Sequence, residues 1–196
     1  MPRRAWYSAG YPQRGFIMKN VVVISTSLRP GSNSDALAQE FARGAAAAGH
    51  QVEIISLVGK QLAFCRGCLA CQKLGHCVIE DDANAIADKV CAADVVVFAS
   101  PVYYYGMSGQ MKTLLDRMNC LYPKDYAFRD VYLLASAAED SVNAMFLICC
   151  ALDGWIECFE KAHLAGVVKA IGNEGPNDVQ KHPEQLAEAY AMGQGV

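Results

Sequence analysis

Residues 20–34 read NVVVISTSLRPGSNS. The first seven, Asn20–Thr26, are β-branched and apolar with no alternation, the pattern of a strand buried on both faces. The next eight, Ser27-Leu28-Arg29-Pro30-Gly31-Ser32-Asn33-Ser34, are turn formers, hydroxyls and amides with one fixed positive charge. They lead into a helix predicted over Asn33–Gly49, with Leu37, Phe41, Ala45 and Ala48 at helical spacing and Gly49 as its stop. A strand covered on both sides that runs through such a loop into a helix is the opening unit of a parallel α/β sheet.

The unit repeats down the chain. Gln51–Leu57 is a second strand whose stronger alternation places it nearer an edge, and Asp81 or Asp82 caps a helix to about Ala93. Asp94–Ser100 is another doubly buried strand, followed by a loop and a helix over Ser108–Met118. Val131–Ser136, a long helix over Ser141–Ala162, a strand at Gly166–Ile171 and a closing helix over Glu184–Met192 complete the pattern, with Pro183 near the last helix's first turn. Right-handed crossovers and five strands predict a flavodoxin-like, doubly wound parallel sheet of order 2-1-3-4-5 with helices on both faces. Ligands of such sheets bind at the edge where the strands end, at the switch point between strands 1 and 3. The chemistry is therefore expected in loops 27–34, 62–80, 100–109 and 136–140.

Bulk properties narrow the function classes. A chain of 196 residues, 53% hydrophobic and 19% charged, has material for one sizeable core, and no repeat or linker divides it. Residues 18–196 are read as one domain and residues 1–17 as a disordered extension, since Met18 directly precedes the first strand. The net charge of −3 with mixed signs throughout leaves no footprint for nucleic acid. The longest apolar run, Ala144–Leu152, is too short to cross a bilayer. Residues 1–17 carry no apolar signal core, and an odd count of nine cysteines argues against a disulfide framework, so a cytoplasmic location is expected. Cys91, Cys120, Cys149, Cys150 and Cys158 sit in apolar segments and read as small core residues.

Three loops carry chemistry. Loop 27–34 opens onto a helix N-terminus, where unpaired N–H groups and a partial positive charge suit a phosphate. No GxxxxGK[ST] or GxGxxG pattern occurs, which disfavours nucleoside triphosphates and a dinucleotide crevice. An ordinary capped helix is the plainer alternative, although the hydroxyls exceed what one cap needs. Loop 100–109 reads Ser100-Pro101-Val102-Tyr103-Tyr104-Tyr105-Gly106-Met107-Ser108-Gly109. Three consecutive tyrosines cannot all be buried, and they offer flat amphipathic surface to one side of a planar ring. Gly106 and Gly109 let the backbone approach such a ring; a loop packed on its own helix, or a subunit contact, is the alternative.

The third is Cys65-x2-Cys68-x2-Cys71-x5-Cys77. Three thiols at two-residue intervals with a fourth to close them is ligand density of the kind a [4Fe–4S] cubane uses. Structural zinc sites usually divide their cysteines between two separate knuckles, and a thioredoxin-type pair sits at a helix N-terminus. A loop of free thiols stands beside the cluster reading, and His76 reads as a solvated loop residue.

The stretches ISTSLRPGSNSDALA (24–38) and FASPVYYYGMSGQMKTLLDR (98–117) together resemble the NADPH-dependent FMN reductases and the wider flavodoxin-like oxidoreductases. The resemblance extends from Lys19 through the tail DVQKHPEQLAEAYAMG (178–193). It implies that Ser27, Arg29, Ser32, Asn33 and Ser34 hold the FMN phosphate. Pro101, Val102, Tyr103, Tyr104, Tyr105, Gly106 and Ser108 would then line the isoalloxazine ring, with the loop from Ser136 on its other side. That loop, Ser136-Ala137-Ala138-Glu139, lacks the glycines many relatives have there. The cysteine spacing resembles that of the iron–sulfur flavoproteins, a branch of the same fold, which implies Cys65, Cys68, Cys71 and Cys77 as cluster ligands.

By this resemblance the chain is an FMN-dependent oxidoreductase with NAD(P)H as electron donor. It would relay electrons between FMN and the cluster to a small-molecule or protein acceptor. Without a cluster, reduction of quinones or free flavin is expected, and a non-catalytic thiol sensor is the reading from another class. No residue stands out as a catalytic acid or base. A homo-oligomer, dimer or tetramer, is expected because the tyrosine and cysteine loops bring apolar surface to one edge.

Overall fold

The computed structural model describes residues 17–196, so the extension expected over residues 1–17 lies, except for Ile17, outside the described residues. In chain order the elements are β1 (Asn20–Ser25), α1 (Asn33–Ala47), β2 (Gln51–Ser56), α2 (Cys71–Leu74) and α3 (Asp82–Ala92). They continue with β3 (Val95–Tyr103), β4 (Gly106–Met107), α4 (Gly109–Arg117) and β5 (Asp130–Ser136). The last are α5 (Phe146–Ile156), β6 (His163–Ala170) and α6 (Pro183–Gln194). Short 3-10 turns occupy Met118–Leu121, Val142–Met145 and Asp178–Lys181.

Five strands pair in parallel in the order β2-β1-β3-β5-β6, which is the expected order of the five long strands. Side chains along β1 explain why its sequence shows no alternation. Val21 and Val23 face one core with Leu37, Phe41 and Ala45 of α1, whereas Val22 and Ile24 face the other with Ile86, Leu114 and Leu152. Both faces of the strand are dry, so the consecutive positions Val21–Ile24 are all apolar. Helices α1 and α6 cover the first face, and α3, α4 and α5 the second.

Helices α1 and α6 cross closely enough to exclude side chains. A Cβ on Gly44 would lie 2.1 Å from the Tyr190 carbonyl oxygen, and one on Gly193 would lie 2.1 Å from that of Phe41. Both positions therefore require glycine for space, at the cost glycine carries inside a helix.

Three departures from the expected elements have local causes. Strand β3 runs past Ser100 to Tyr103 because Val102 and Tyr103 pair with Met107 and Gly106 in an antiparallel hairpin, adding the two-residue β4 as a sixth strand. Its two-residue loop places Tyr104 and Tyr105 at φ of 50° and 65°. That turn is normally Asn-Gly, and tyrosines there carry strain of order 1–3 kcal/mol each. The long helix expected over Ser141–Ala162 is a 3-10 turn followed by α5, which ends at Ile156. Three-residue turns then carry the chain through Phe159, buried against Trp155 and Tyr122, and β6 begins early at His163, paired with Asp130. The cysteine loop also contains one unexpected helical turn, α2.

Candidate functional site

The loop after β1 is built by capping. Ser32 Oγ accepts from the Asp35 amide at 3.2 Å and so closes the N-terminus of α1. Ser27 Oγ accepts from the Arg29 amide, and the Ser32 and Ser34 hydroxyls lie 3.1 Å apart. Ser27, Ser32, Asn33 and Ser34 are all buried. Gly31 adopts φ +66°, and a Cβ there would strike the Asn177 side chain at 2.8 Å. The chain thus turns tightly at Gly31, directly before the N-terminus of α1.

The second half of this wall comes from a segment sequence reasoning passed over. Asn33 Nδ2 donates to the carbonyls of Asn173 and Gly175, and its Oδ1 accepts from the Val179 amide. The Arg29 guanidinium donates to the carbonyls of Glu174 and Gly175 at 3.0 and 3.2 Å. Residues 172–179 are therefore strapped across loop 27–34 by the side chains of Arg29 and Asn33. Arg29 thus holds this backbone while it keeps its positive charge at the rim of the same hollow.

These elements enclose a cavity of about 150 Å³. Ser27, Arg29, Ser32, Asn33 and Ser34 line it from loop 27–34, Pro101, Val102 and Tyr103 from loop 100–109, and Ser136 with Ala138 from the loop after β5. Asn173 and Glu174 complete it. Nothing in their spacing marks those two beforehand; only the run Gly172-Asn173-Glu174-Gly175-Pro176-Asn177 announces a turn.

Four predicted residues stand apart from the cavity. Tyr104 is 100% exposed and Tyr105 half exposed at the hairpin tip, with Gly106 paired to Tyr103 behind them. Ser108 is fully buried and ties the loops together: its Oγ lies 3.0 Å from Thr26 Oγ and accepts from the Met111 amide, while its own amide donates to Ser100 Oγ. A wider depression of about 590 Å³ is lined by Leu28, Leu57, Leu62, Phe64 and the first turns of α4.

Of the four cysteines, Cys65 and Cys68 are exposed, while Cys71 and Cys77 are each 8% exposed. Burial pushes the Cys71 thiol up, and charge on Cys77, Cys68 and Cys65 pushes it further, so the other three lie within electrostatic reach of Cys71. Among the described residues, however, no three His, Cys, Asp or Glu side chains converge on one metal position. The exposed pair, Cys65 and Cys68, is not gathered onto the buried pair, Cys71 and Cys77.

The chain matches the NADPH-dependent FMN reductase family over residues 19–153. It belongs to that family. The matched stretch contains β1 to β5, loop 27–34 and the tyrosine hairpin. An iron–sulfur flavoprotein of Methanocaldococcus jannaschii is 42% identical over 97 residues, 50% of this chain and 50% of that protein. One of Methanosarcina thermophila is 33% identical over 120 residues, covering 61% and 63%. The chain thus spans about half the length of the first curated relatives it matches, from 46% to 63%. Among solved structures, an NAD(P)H:quinone oxidoreductase from Methanothermobacter marburgensis superposes with a TM-score of 0.71 at 18% identity, covering 91% of this chain and 96% of that one. Likeness at that identity establishes the fold. Among the described residues no helix is long and apolar enough to cross a membrane.

Proposed function

We propose that this member of the FMN reductase family binds FMN in the cavity between loops 27–34, 100–109 and 136–140 and transfers electrons from NAD(P)H to an acceptor. The observation that carries the reading is the joining of a buried hydroxyl-rich helix N-terminus to Pro101–Tyr103 and Ser136 at the switch point of the sheet. The residues fit such a group: the Ser32 and Ser34 hydroxyls bond each other and keep capacity for a phosphate oxygen. Bound there, FMN supplies hydride acceptance and single-electron release. The protein's own part is positioning. Ser27, Ser32 and Ser34 hold the phosphate, Arg29 and Asn33 keep residues 172–179 closed over it, and Tyr103 shields one side of the ring.

A second reading adds a [4Fe–4S] cluster on Cys65, Cys68, Cys71 and Cys77, supported by their spacing and by the names of the relatives above. A cluster would supply one-electron steps toward a protein acceptor. A dimer or tetramer placed in the cytoplasm is part of the same proposal, the exposed Phe64, Tyr104 and Phe146 supplying apolar surface. The protein, made anaerobically with ample iron, should release FMN on denaturation and oxidise NAD(P)H. If it releases no flavin, the first reading is wrong. Iron and sulfide should accompany the flavin and disappear in Cys71→Ala, which should keep its FMN. An iron-free wild type with bound FMN would leave a reductase acting on quinones or free flavin.

A further inference from the structure

Both ends of the cysteine loop are fastened to one buried cation. Arg117, the last residue of α4, has a side chain 0% exposed. Its Nη1 donates to Asp81 Oδ2 at 2.6 Å and to the Ala63 carbonyl at 2.8 Å. Its Nη2 donates to Asp81 Oδ1 at 2.9 Å and to the Ile79 carbonyl at 3.0 Å. Asp81 also accepts from the Ala63 amide at 2.8 Å and caps α3 through the Ala83 amide at 3.0 Å. One guanidinium–carboxylate pair therefore clasps residue 63, before the first thiol, to residues 79 and 81, after the last. Asn84 extends the clasp to Cys77, accepting from its amide and donating to its carbonyl, both at 2.9 Å.

Stability alone does not account for this arrangement. Withdrawing a charge pair from water costs about as much as the pair returns, and apolar residues of similar volume often serve as well. What an apolar side chain cannot do is grip backbone carbonyls on both sides of the four thiols with a fixed planar fork. The result is a divided loop. Cys71 and Cys77 are buried beside the clasp, while Cys65 and Cys68 are exposed on a stretch that includes Gly67 and Leu69 at φ of 64° and 58°.

We propose that Arg117 is the positioning residue of the cysteine loop: its fork, closed on Asp81, Ala63 and Ile79, holds the Cys71–Cys77 half in place so that only residues 64–70 move when the four thiols take a common ligand. The inference rests on the cysteine reading for that ligand, but the positioning itself is measurable without one. In the full chain, iodoacetamide labelling mapped cysteine by cysteine should find Cys65 and Cys68 reactive, and Cys71 and Cys77 slower by about tenfold or more because they are buried. Arg117→Met should bring Cys71 and Cys77 to nearly the rate of Cys65 while FMN per chain stays at the wild-type level. Arg117→Lys, which keeps the charge but not the fork, should fall between. If Arg117→Met does not fold, Asp81→Asn, which keeps the side chain's shape, provides the same comparison.

An unchanged labelling pattern in a folded variant overturns the proposal, as does loss of FMN in parallel with the new reactivity. Reconstitution separates it from the cluster reading. If wild-type protein takes up no iron but the labelling shifts as expected, the cluster fails and the positioning role stands. If Arg117→Met binds iron and sulfide as fully as wild type with labelling unchanged, the positioning role fails and the cluster stands.

Discussion

Replacing Gly193 by Ala is expected to lower the melting temperature by about 6–12 °C, corresponding to roughly 3 kcal/mol in a chain of this length. The added Cβ would stand 2.1 Å from the Phe41 carbonyl oxygen and 3.0 Å from the Ala45 amide nitrogen, both backbone atoms. No rotamer relieves a clash between two helix backbones, so α6 must move away from α1. Gly44→Ala should behave alike, since its Cβ would meet the Tyr190 carbonyl oxygen at the same 2.1 Å. A control of opposite sign lies in α5: a Cβ on Gly154 has nothing within 4 Å. Gly154→Ala should therefore raise the melting temperature by about 1–4 °C through helix propensity and a less flexible unfolded chain. Calorimetry on the three variants decides the matter, and Gly193→Ala melting with wild type would mean the helices do not cross this closely. Displacing α6 should also loosen residues 172–179, which join β6 to α6 and are tied to Arg29 and Asn33.

The sheet was legible because burial on two faces writes itself into composition. Val21–Ile24 and Val95–Ala99 are apolar at consecutive positions, and each run supplies alternate side chains to the two cores. The glycines of the α1–α6 crossing were not legible, because a helical glycine is explained only by what faces it from another element. The break after Ile156 was hidden for a similar reason. Propensity continues through Cys158 and Phe159, and packing of Phe159 on Trp155 and Tyr122 ends the helix instead.

The candidate site was legible where a loop's chemistry is local. Ser27–Ser34 and Pro101–Tyr103 do line one cavity, as their positions after neighbouring strands imply. What sequence could not supply was the set of long-range partners. Asn33 and Arg29 reach carbonyls more than a hundred residues away, and Arg117 reaches Asp81 across 36 residues. Nor did the tyrosines announce a two-residue hairpin, since that turn's usual residues are absent and Tyr104 and Tyr105 hold positive φ under constraint of the β3–β4 pairing.

Ser32→Asp should separate helix capping from phosphate binding. Aspartate is as good an N-cap as serine, and its charge favours the N-terminus of α1, so the flavin-free protein should melt at or slightly above the wild-type temperature. The same carboxylate would stand at the hollow lined by Ser27, Ser34 and the first amides of α1. Arg29, the charged donor nearest in sequence, is held on the carbonyls of Glu174 and Gly175 and offsets the added charge only in part. Two like charges in one partly enclosed site cost several kcal/mol, so FMN affinity should fall by about a hundredfold or more. Riboflavin, which has the ring and ribityl chain without the phosphate, should bind wild type and Ser32→Asp almost equally. The preference for FMN over riboflavin should therefore collapse in the variant, and added salt should restore part of it by screening the repulsion. Ser32→Ala gives the complementary result: loss of the cap should cost about 1 kcal/mol of stability, with a much smaller loss of FMN. Fluorescence titration of the three proteins with both flavins measures each term. Full FMN affinity in Ser32→Asp would place the phosphate away from this loop, and with it the flavin.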